Sequence, residues 1–333
     1  METGIGTGSG IGPEAVTSAM EILAGTVRRT PVLVVPEIDE AAGASVFFKC
    51  EHLQRCGAFK FRGAFHALSR LDDEARRAGV LTYSSGNHAS GLALAGQLLG
   101  VSVTIAMPNN TSPVKRALAL SYGAELVDCL PEEREAVGAK VAAERGLTII
   151  PPYDHDDIIA GQGTAALELL EDVPDLDLIV TPVGGGGLLA GTALAAALLG
   201  EKRPRVYGAE PELGDDAARS LHSGERVTLE KVPQTVADGL RTRYVGERNF
   251  AVLRKHVDGI LTVSEDAILD AVARLWLFGK QTVEPSGAVP LAAILSGALE
   301  ARGKRVGVVL SGGNCDLVQV GTWVAERAAG LRG

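Results

Sequence analysis

The sequence predicts an α/β fold built from two successive sets of βα units, and three observations predict it. Short apolar runs alternate with helical patterns every 20 to 25 residues or so, roughly the spacing of parallel strands joined by crossover helices. Several runs end in glycine- or serine-rich loops that open a helix. The composition is 46% hydrophobic but only 4% aromatic, with 41 glycines in 333 residues, which suits buried parallel strands and closely packed helices. Charged residues at 22% keep the chain in the globular class.

Residues 1 to 12 are rich in Gly, Ser and Thr. The run Gly4-Ile5-Gly6-Thr7-Gly8-Ser9-Gly10 lacks a preceding strand and the G-x-G-x-x-G spacing, so it is rejected as a dinucleotide fingerprint. Pro13 starts a helix whose apolar face carries Val16, Met20, Ile22 and Leu23. Arg29 to Leu33 is an extended entry, and Ser45 to Lys49 a strand. A helix is expected from Lys60 to Leu71. The first set of units then reads as strands Val80 to Tyr83, Val101 to Met107, Glu125 to Cys129 and Leu147 to Ile150. Helices Ala89 to Leu99, Ser112 to Tyr122 and Pro131 to Arg145 separate them.

Pro151-Pro152-Tyr153-Asp154-His155 marks the boundary between the sets. Beyond it, helix Ile158 to Leu170 precedes strand Leu178 to Pro182, helix Leu188 to Leu199 and strand Arg205 to Ala209. Strands Gly259 to Val263 and Arg305 to Leu310 follow. Helices are expected over Ser264 to Lys280, Ser286 to Ala301 and Asn314 to Ala329. No solenoid period of 20–50 residues is present.

Charge and cysteines narrow the function classes. Lys+Arg 32 against Asp+Glu 41 gives −9, which argues against a nucleic-acid or anionic-membrane partner. Cys50, Cys56, Cys129 and Cys315 form no C-x-x-C pair and no zinc spacing with histidine, so they read as free thiols of a reducing compartment. The N-terminus lacks a basic segment followed by an apolar core, and no apolar run reaches membrane-spanning length. A cytoplasmic protein is expected.

Four stretches carry chemistry. Lys60 stands between Phe59 and Phe61, with Gly57 and Gly63 on either side. Desolvation in such a frame lowers a lysine pKa and yields an amine able to form a Schiff base, although Lys60 also fits the first turn of an amphipathic helix. Gly184-Gly185-Gly186-Gly187 follows an apolar strand and opens a helix. Its backbone N–H groups and the helix dipole favour a phosphate, and no G-K-[ST] follows to make it a Walker loop. Ser84-Ser85-Gly86-Asn87-His88 and Ser311-Gly312-Gly313-Asn314 each end a strand, where open α/β sheets bind ligands. Capping by Ser or Asn explains the same residues equally well.

Taken together, these stretches resemble the fold-type II, tryptophan-synthase-β-like pyridoxal-phosphate enzymes, in the threonine dehydratase and serine racemase branch. Glu51-x-x-Gln54-x-x-Gly57-Ala58-Phe59-Lys60-x-Arg62-Gly63-Ala64, Ser84 to His88 and Gly161-Gln162-Gly163-Thr164 carry the resemblance. So do Gly184 to Leu188, Ala237-Asp238-Gly239 and Ser311 to Asn314. It implies a two-lobed fold, each lobe a mostly parallel sheet flanked by helices, with residues 81–150 as a small mobile lobe. Residues 1–80 and 151–333 would form the large cofactor-binding lobe. It also implies a homodimer.

The resemblance assigns roles. Lys60, beside Phe59, would hold pyridoxal 5′-phosphate as an internal aldimine and move protons. Asn87 would bond the ring's phenolic oxygen, Gly184, Gly185, Gly186, Gly187 and Leu188 the phosphate, and Ser311 would face the ring nitrogen. Ser84, Ser85, Gly86 and His88 would receive the substrate carboxylate, and Ser85 matches the serine opposite the lysine in racemases. Glu210, the Gly214 carbonyl and Asp216 resemble this branch's metal site, for magnesium or calcium. Arg134 resembles a pocket-edge arginine that either binds a second carboxylate or pairs with a glutamate on its own helix.

The implied reaction is dehydration and deamination of a β-hydroxy amino acid, with L-threonine and L-serine as leading substrates. Racemisation of serine or aspartate, or dehydration of 3-hydroxyaspartate through Arg134, is the alternative. A catalytically silent binder of the cofactor ranks lower. Ser90, Arg243 and Tyr244 depart from the family pattern near the substrate.

Overall fold

The structure is a computed structural model that describes residues 10–84, 86–111, 113–328 and 330, the side chain of Val114 excepted. The glycine run of residues 4–9, Ser85 and Ala329 lie outside the described residues.

Two sheets organise the chain. The larger contains β1 (Val32–Leu33), β2 (Ser45–Lys49), β7 (Leu178–Pro182), β8 (Arg205–Pro211), β9 (Gly259–Val263) and β10 (Arg305–Val309), in the order β1-β2-β10-β7-β8-β9. Among these described strands only the edge pair β1–β2 is antiparallel. The smaller contains β3 (Val80–Thr82), β4 (Val103–Pro108), β5 (Glu125–Cys129) and β6 (Thr148–Ile149), all parallel, in the order β5-β4-β3-β6. The chain is thus a mixed α/β protein with parallel sheets flanked by helices. Strand β7 is buried at every residue, as strands covered by helices on both faces must be.

The order β2-β10-β7 decides where a site can form. These three neighbours run parallel, so their carboxyl ends lie side by side. From β2 the chain runs through residues 50–59 to Lys60, from β10 to Ser311, and from β7 to Gly184.

Helix Lys60–Ser69 packs on helices Asn87–Leu99 and Asp156–Asp172, and the latter packs on helix Gly187–Ala197. Glycines allow these crossings. A Cβ on Gly161 would lie 2.6 Å from the Gly63 Cα, and one on Gly191 would lie 2.5 Å from the Gly163 nitrogen. The lysine helix and the glycine-loop helix are therefore held to one shared neighbour at backbone contact.

Helix ends depart from the expectations by a few residues, for local reasons. The last helix begins at Leu317 rather than Asn314, because the Asp316 carboxylate accepts from the N–H groups of Val318 and Gln319. The helix expected to Ala301 ends at Leu295, before Gly297 in the left-handed region. Helices Pro36–Ala42, Asp73–Ala78, Asp216–Ser223 and Glu247–His256 were not expected. No described helix is long and apolar enough to cross a membrane.

Candidate active site

Beneath the lysine lies a buried charge network. Arg62, two residues along the same helix, is fully buried, and its guanidinium donates to both oxygens of Glu51 and of Glu168, each at 2.8 Å. Lys49 Nζ, also fully buried, lies 2.7 Å from Glu168 Oε2 and donates to the Thr30 carbonyl at 2.7 Å. At the buried centre two cations balance two carboxylates; at its half-buried edge Asp172 lies 3.7 Å from Lys49 and is matched by Arg29. Burial alone would raise the Glu51 pKa, but Arg62 holds it below the usual carboxylate value. The network joins β2, the following turn, the lysine helix and helix Asp156–Asp172, and so fixes the start of the lysine helix.

Lys60 lines a cleft together with Phe59, Asn87, Ser311, the glycine loop and Leu188. Its Nζ donates to the Pro152 carbonyl at 2.7 Å and lies 5.1 Å from the Phe59 ring centroid. Burial lowers the Lys60 pKa from 10.5 to about 8, against the opposing pull of the Glu284 carboxylate. Lys60 is therefore a half-ionised amine at mildly alkaline pH.

The glycine loop is built for close approach. Gly184 and Gly186 have φ of 53° and 94°, in the left-handed region. A Cβ on Gly185 would lie 2.3 Å from the Tyr153 ring, so part of the run serves packing rather than ligand binding. Gly187 opens the helix, and the N–H groups of its first turn have no carbonyl one turn earlier to accept them. The Ala190 N–H is already taken by the Gly186 carbonyl. Left-handed glycines leading into an uncapped helix N-terminus suit a phosphate.

Ser84, Gly86 and His88 line the same cleft, and Ser84 Oγ accepts from the Gly86 N–H at 3.3 Å. His88 is buried, with Nε2 3.2 Å from the Ile150 carbonyl; burial first, then Lys60, lowers its pKa to about 3. A carbonyl only accepts, so Nε2 carries the proton and the ring is neutral. What His88 can offer an anion is its main-chain N–H in the first turn of helix Asn87–Leu99.

Arg134 lines the cleft and also a wider opening, a cavity of about 560 Å³, that it shares with Lys115, Tyr153, Asp238 and Tyr244. It has no ion-pair partner among the described residues, so the pairing on its own helix does not form. Contacts cross this opening from helices Pro113–Ser121 and Arg134–Arg145 to the segment of residues 238–244. Lys115 pairs with Asp238, and the Tyr244 hydroxyl donates to Glu135 at 3.3 Å.

Sequence reasoning missed Glu284. It is buried and lines the cleft, and Asn87 Nδ2 donates to it at 2.7 Å. Burial, helped by Asp238, pushes its pKa up to about 7. The only available signal was a lone glutamate before Pro285-Ser286-Gly287, which reads as a helix start.

Glu210 and Asp216 stand apart from the cleft, at the end of β8 and the start of helix Asp216–Ser223, with Gly214 in the turn between. Both carboxylates are buried; Glu210 Oε1 accepts from the Ala218 N–H at 2.7 Å, and Asp216 Oδ2 has no partner. Burial raises both pKa values, Asp216 to about 7, and Asp216 raises Glu210 further. Two buried carboxylates, one repelling the other and one with an orphaned oxygen, fit a hard divalent ion. No group of three or more His, Cys, Asp or Glu side chains placed to hold a metal ion occurs among the described residues, so an ion here would need main-chain oxygen such as the Gly214 carbonyl.

Comparison with known proteins agrees with this geometry. A family model described as "Pyridoxal-phosphate dependent enzyme" matches residues 23–312. An L-threo-3-hydroxyaspartate ammonia-lyase from Pseudomonas sp is 46% identical over 304 residues, covering 91% of this chain and 95% of the relative. A serine racemase structure from Dictyostelium discoideum superposes with TM-score 0.86 at 40% identity, over 92% of this chain and 99% of that one. A T.th. threonine deaminase structure has TM-score 0.86 at 45% identity, over 91% and 98%.

Proposed function

This chain belongs to the pyridoxal-phosphate-dependent enzyme family, and on that premise we propose that it removes water and then ammonia from 3-hydroxyaspartate. Threonine and serine give way here to a substrate with a second carboxylate. Two facts support the change: a 46% identical relative is named for L-threo-3-hydroxyaspartate, and Arg134 stands on the cleft wall with no ion-pair partner among the described residues. Arg134 carries the reading, because a guanidinium without a carboxylate partner is suited to bind one from the substrate.

The residues divide the work as follows. Gly184, Gly185, Gly187 and Leu188 would hold the cofactor phosphate through main-chain N–H groups and the helix N-terminus, with Gly186 shaping the loop while its own N–H donates to the Val183 carbonyl at 3.0 Å. Asn87 would donate to the ring oxygen, and Ser311 would face the ring nitrogen with a neutral hydroxyl. When bound, pyridoxal phosphate supplies an electron-withdrawing ring that stabilises negative charge at the substrate Cα. Lys60, lowered to about pKa 8, is the carrying amine and takes the Cα proton. The first-turn N–H groups near Asn87 and His88, with Ser84, receive the α-carboxylate, and Arg134 the second one. Ser85 is the second acid–base group that racemisation requires. The β-hydroxyl leaves as water; hydrolysis of the released imine then consumes a water and frees ammonia and the 2-oxo acid.

Glu210, Gly214 and Asp216 are proposed to bind magnesium or calcium as a structural ion. Residues 81–150 are proposed as a mobile lobe that closes on the substrate. The protein is proposed to be a cytoplasmic homodimer, which light scattering on the purified protein tests for assembly.

The test is a panel of L-threo-3-hydroxyaspartate, L-threonine, L-serine and D-serine, with 2-oxo acid release and chirality followed together. Hydroxyaspartate should be preferred. Arg134→Ala should lower its kcat/KM on the order of 100-fold, the worth of a charge-assisted pair, and change threonine by less than about threefold. Equal losses on all substrates would remove Arg134 from recognition, and inverted serine with little oxo acid would establish a racemase.

A further inference from the structure

Asn87 does not sit alone in the cleft. Asn314 Nδ2 donates to the Cys56 carbonyl at 2.7 Å and to Asn87 Oδ1 at 2.9 Å, and Asn87 Nδ2 donates to Glu284 Oε1 at 2.7 Å. The chain of partners allows one orientation. A main-chain carbonyl accepts, so the end of Asn314 that meets Cys56 is its NH2. That NH2 also meets Asn87, so Asn87 presents oxygen there and turns its own NH2 to the carboxylate. One of the two Nδ2 hydrogens goes to Glu284, which leaves the other for a ligand in the cleft that Asn87 lines.

The surroundings are shaped around this relay. Cys56 is one of three non-glycine residues with positive φ among the described residues, at 52°. A Cβ on Gly57 would lie 2.5 Å from Asn314 Oδ1. A Cβ on Gly312 would lie 2.4 Å from Glu284 Oε1 and 2.9 Å from Asn87 Nδ2. Backbone from two separate segments, 56–57 and 312, thus makes room for two amides and a carboxylate.

We propose that Asn314 and Glu284 are positioning residues, which lock Asn87 as a hydrogen-bond donor toward the ring oxygen of the cofactor. The inference rests on the role given to Asn87 under the proposed function. Without these two partners the Asn87 amide would be free to present oxygen, and two oxygens would then face each other.

Asn314→Asp keeps the shape and removes both donors. The Asn87 amide then turns its NH2 toward residue 314 and its oxygen toward the cleft. The apoprotein is titrated with pyridoxal phosphate, and the dissociation constant and visible absorption maximum are read for N87A, N314D and N87A/N314D. Each single variant should weaken binding about tenfold and move the maximum in the same direction. In the double variant N314D should add less than about twofold to N87A, because its effect passes through Asn87.

N314D/E284Q guards against a folding defect. The side-chain amide introduced at position 284 can donate to the turned Asn87, so the apoprotein melting midpoint should recover while cofactor affinity stays low. Additive losses in N87A/N314D would make Asn314 merely structural and overturn the relay, as would N314D binding like the unaltered protein while N87A is weakened. If N87A itself binds normally with an unshifted maximum, the role of Asn87 fails and takes the relay with it.

Discussion

Lys49→Met isolates what the buried network is worth. The substitution keeps most of the side-chain length but removes one of two cations, leaving Arg62 to face Glu51 and Glu168 with one negative charge in excess. The site is closed to water: Lys49 and Arg62 are 0% exposed and Glu168 is 2% exposed. Leaving a buried charge unbalanced costs about 3–5 kcal/mol. For a chain of 333 residues each kcal/mol moves the melting midpoint by about 1.4 °C, so a fall of about 4–7 °C is expected. Glu168→Gln should cost a similar amount. The double variant restores balance and should be more stable than the sum of the single losses by about 1–3 kcal/mol. Calorimetry of the apoprotein at one fixed scan rate reads all four proteins. The sign with pH follows from Glu51, whose folded pKa is lowered. Its contribution is present above the usual carboxylate pKa and is lost as pH falls through the depressed value. A Lys49→Met midpoint within about 2 °C of the unaltered protein, or strict additivity in the double variant, would refute the reasoning.

Three further outcomes are expected. The Lys60 amine, lowered by burial to about 8, should react with aldehyde reagents at a rate that rises half-way near pH 8, which pH-dependent labelling and peptide mapping would show; a midpoint near 10.5 would mean that the amine is solvated. Gly163→Ala would place a methyl 2.6 Å from the Gly191 carbonyl and force the two helices apart. It should cost about 1–3 kcal/mol and weaken cofactor binding, read by melting and by titration. Magnesium or calcium at 100 times its dissociation constant should stabilise the protein by about 2.7 kcal/mol, and Asp216→Ala should abolish that gain; an unchanged melting curve in the unaltered protein would remove the proposed ion.

Much of the fold was legible because its signals are local. Apolar runs ending in glycine or serine located β7, β10 and β3 together with the loops that carry Gly184, Ser311 and Ser84. Their convergence was legible only through the resemblance, since strand order is a property of pairings far apart in the chain. Helices Pro36–Ala42 and Asp73–Ala78 escaped because seven and six residues are too few for helical periodicity to show. Helix Asp216–Ser223 was hidden by the acidic cluster read as a metal loop. Glu284 gave no pattern at all, for a single buried carboxylate acquires meaning only from Asn87, 197 positions away. His88 was named for an anion site and equally as a satisfied core histidine; its ring is tied to the Ile150 carbonyl, so only its main-chain N–H is proposed for the anion.

The position of β10 has a consequence for synthesis of the chain. It pairs residue for residue with β2, Arg305 with Ser45, and lies between β2 and β7. Everything up to residue 304 leaves the ribosome before the strand that joins the lysine side of the cleft to the glycine side. Until then the two halves of the large sheet have no ladder between them, and both flanking strands carry open edges. A chain terminated before β10 would therefore lack the ladder that holds the lysine side of the cleft to the glycine side.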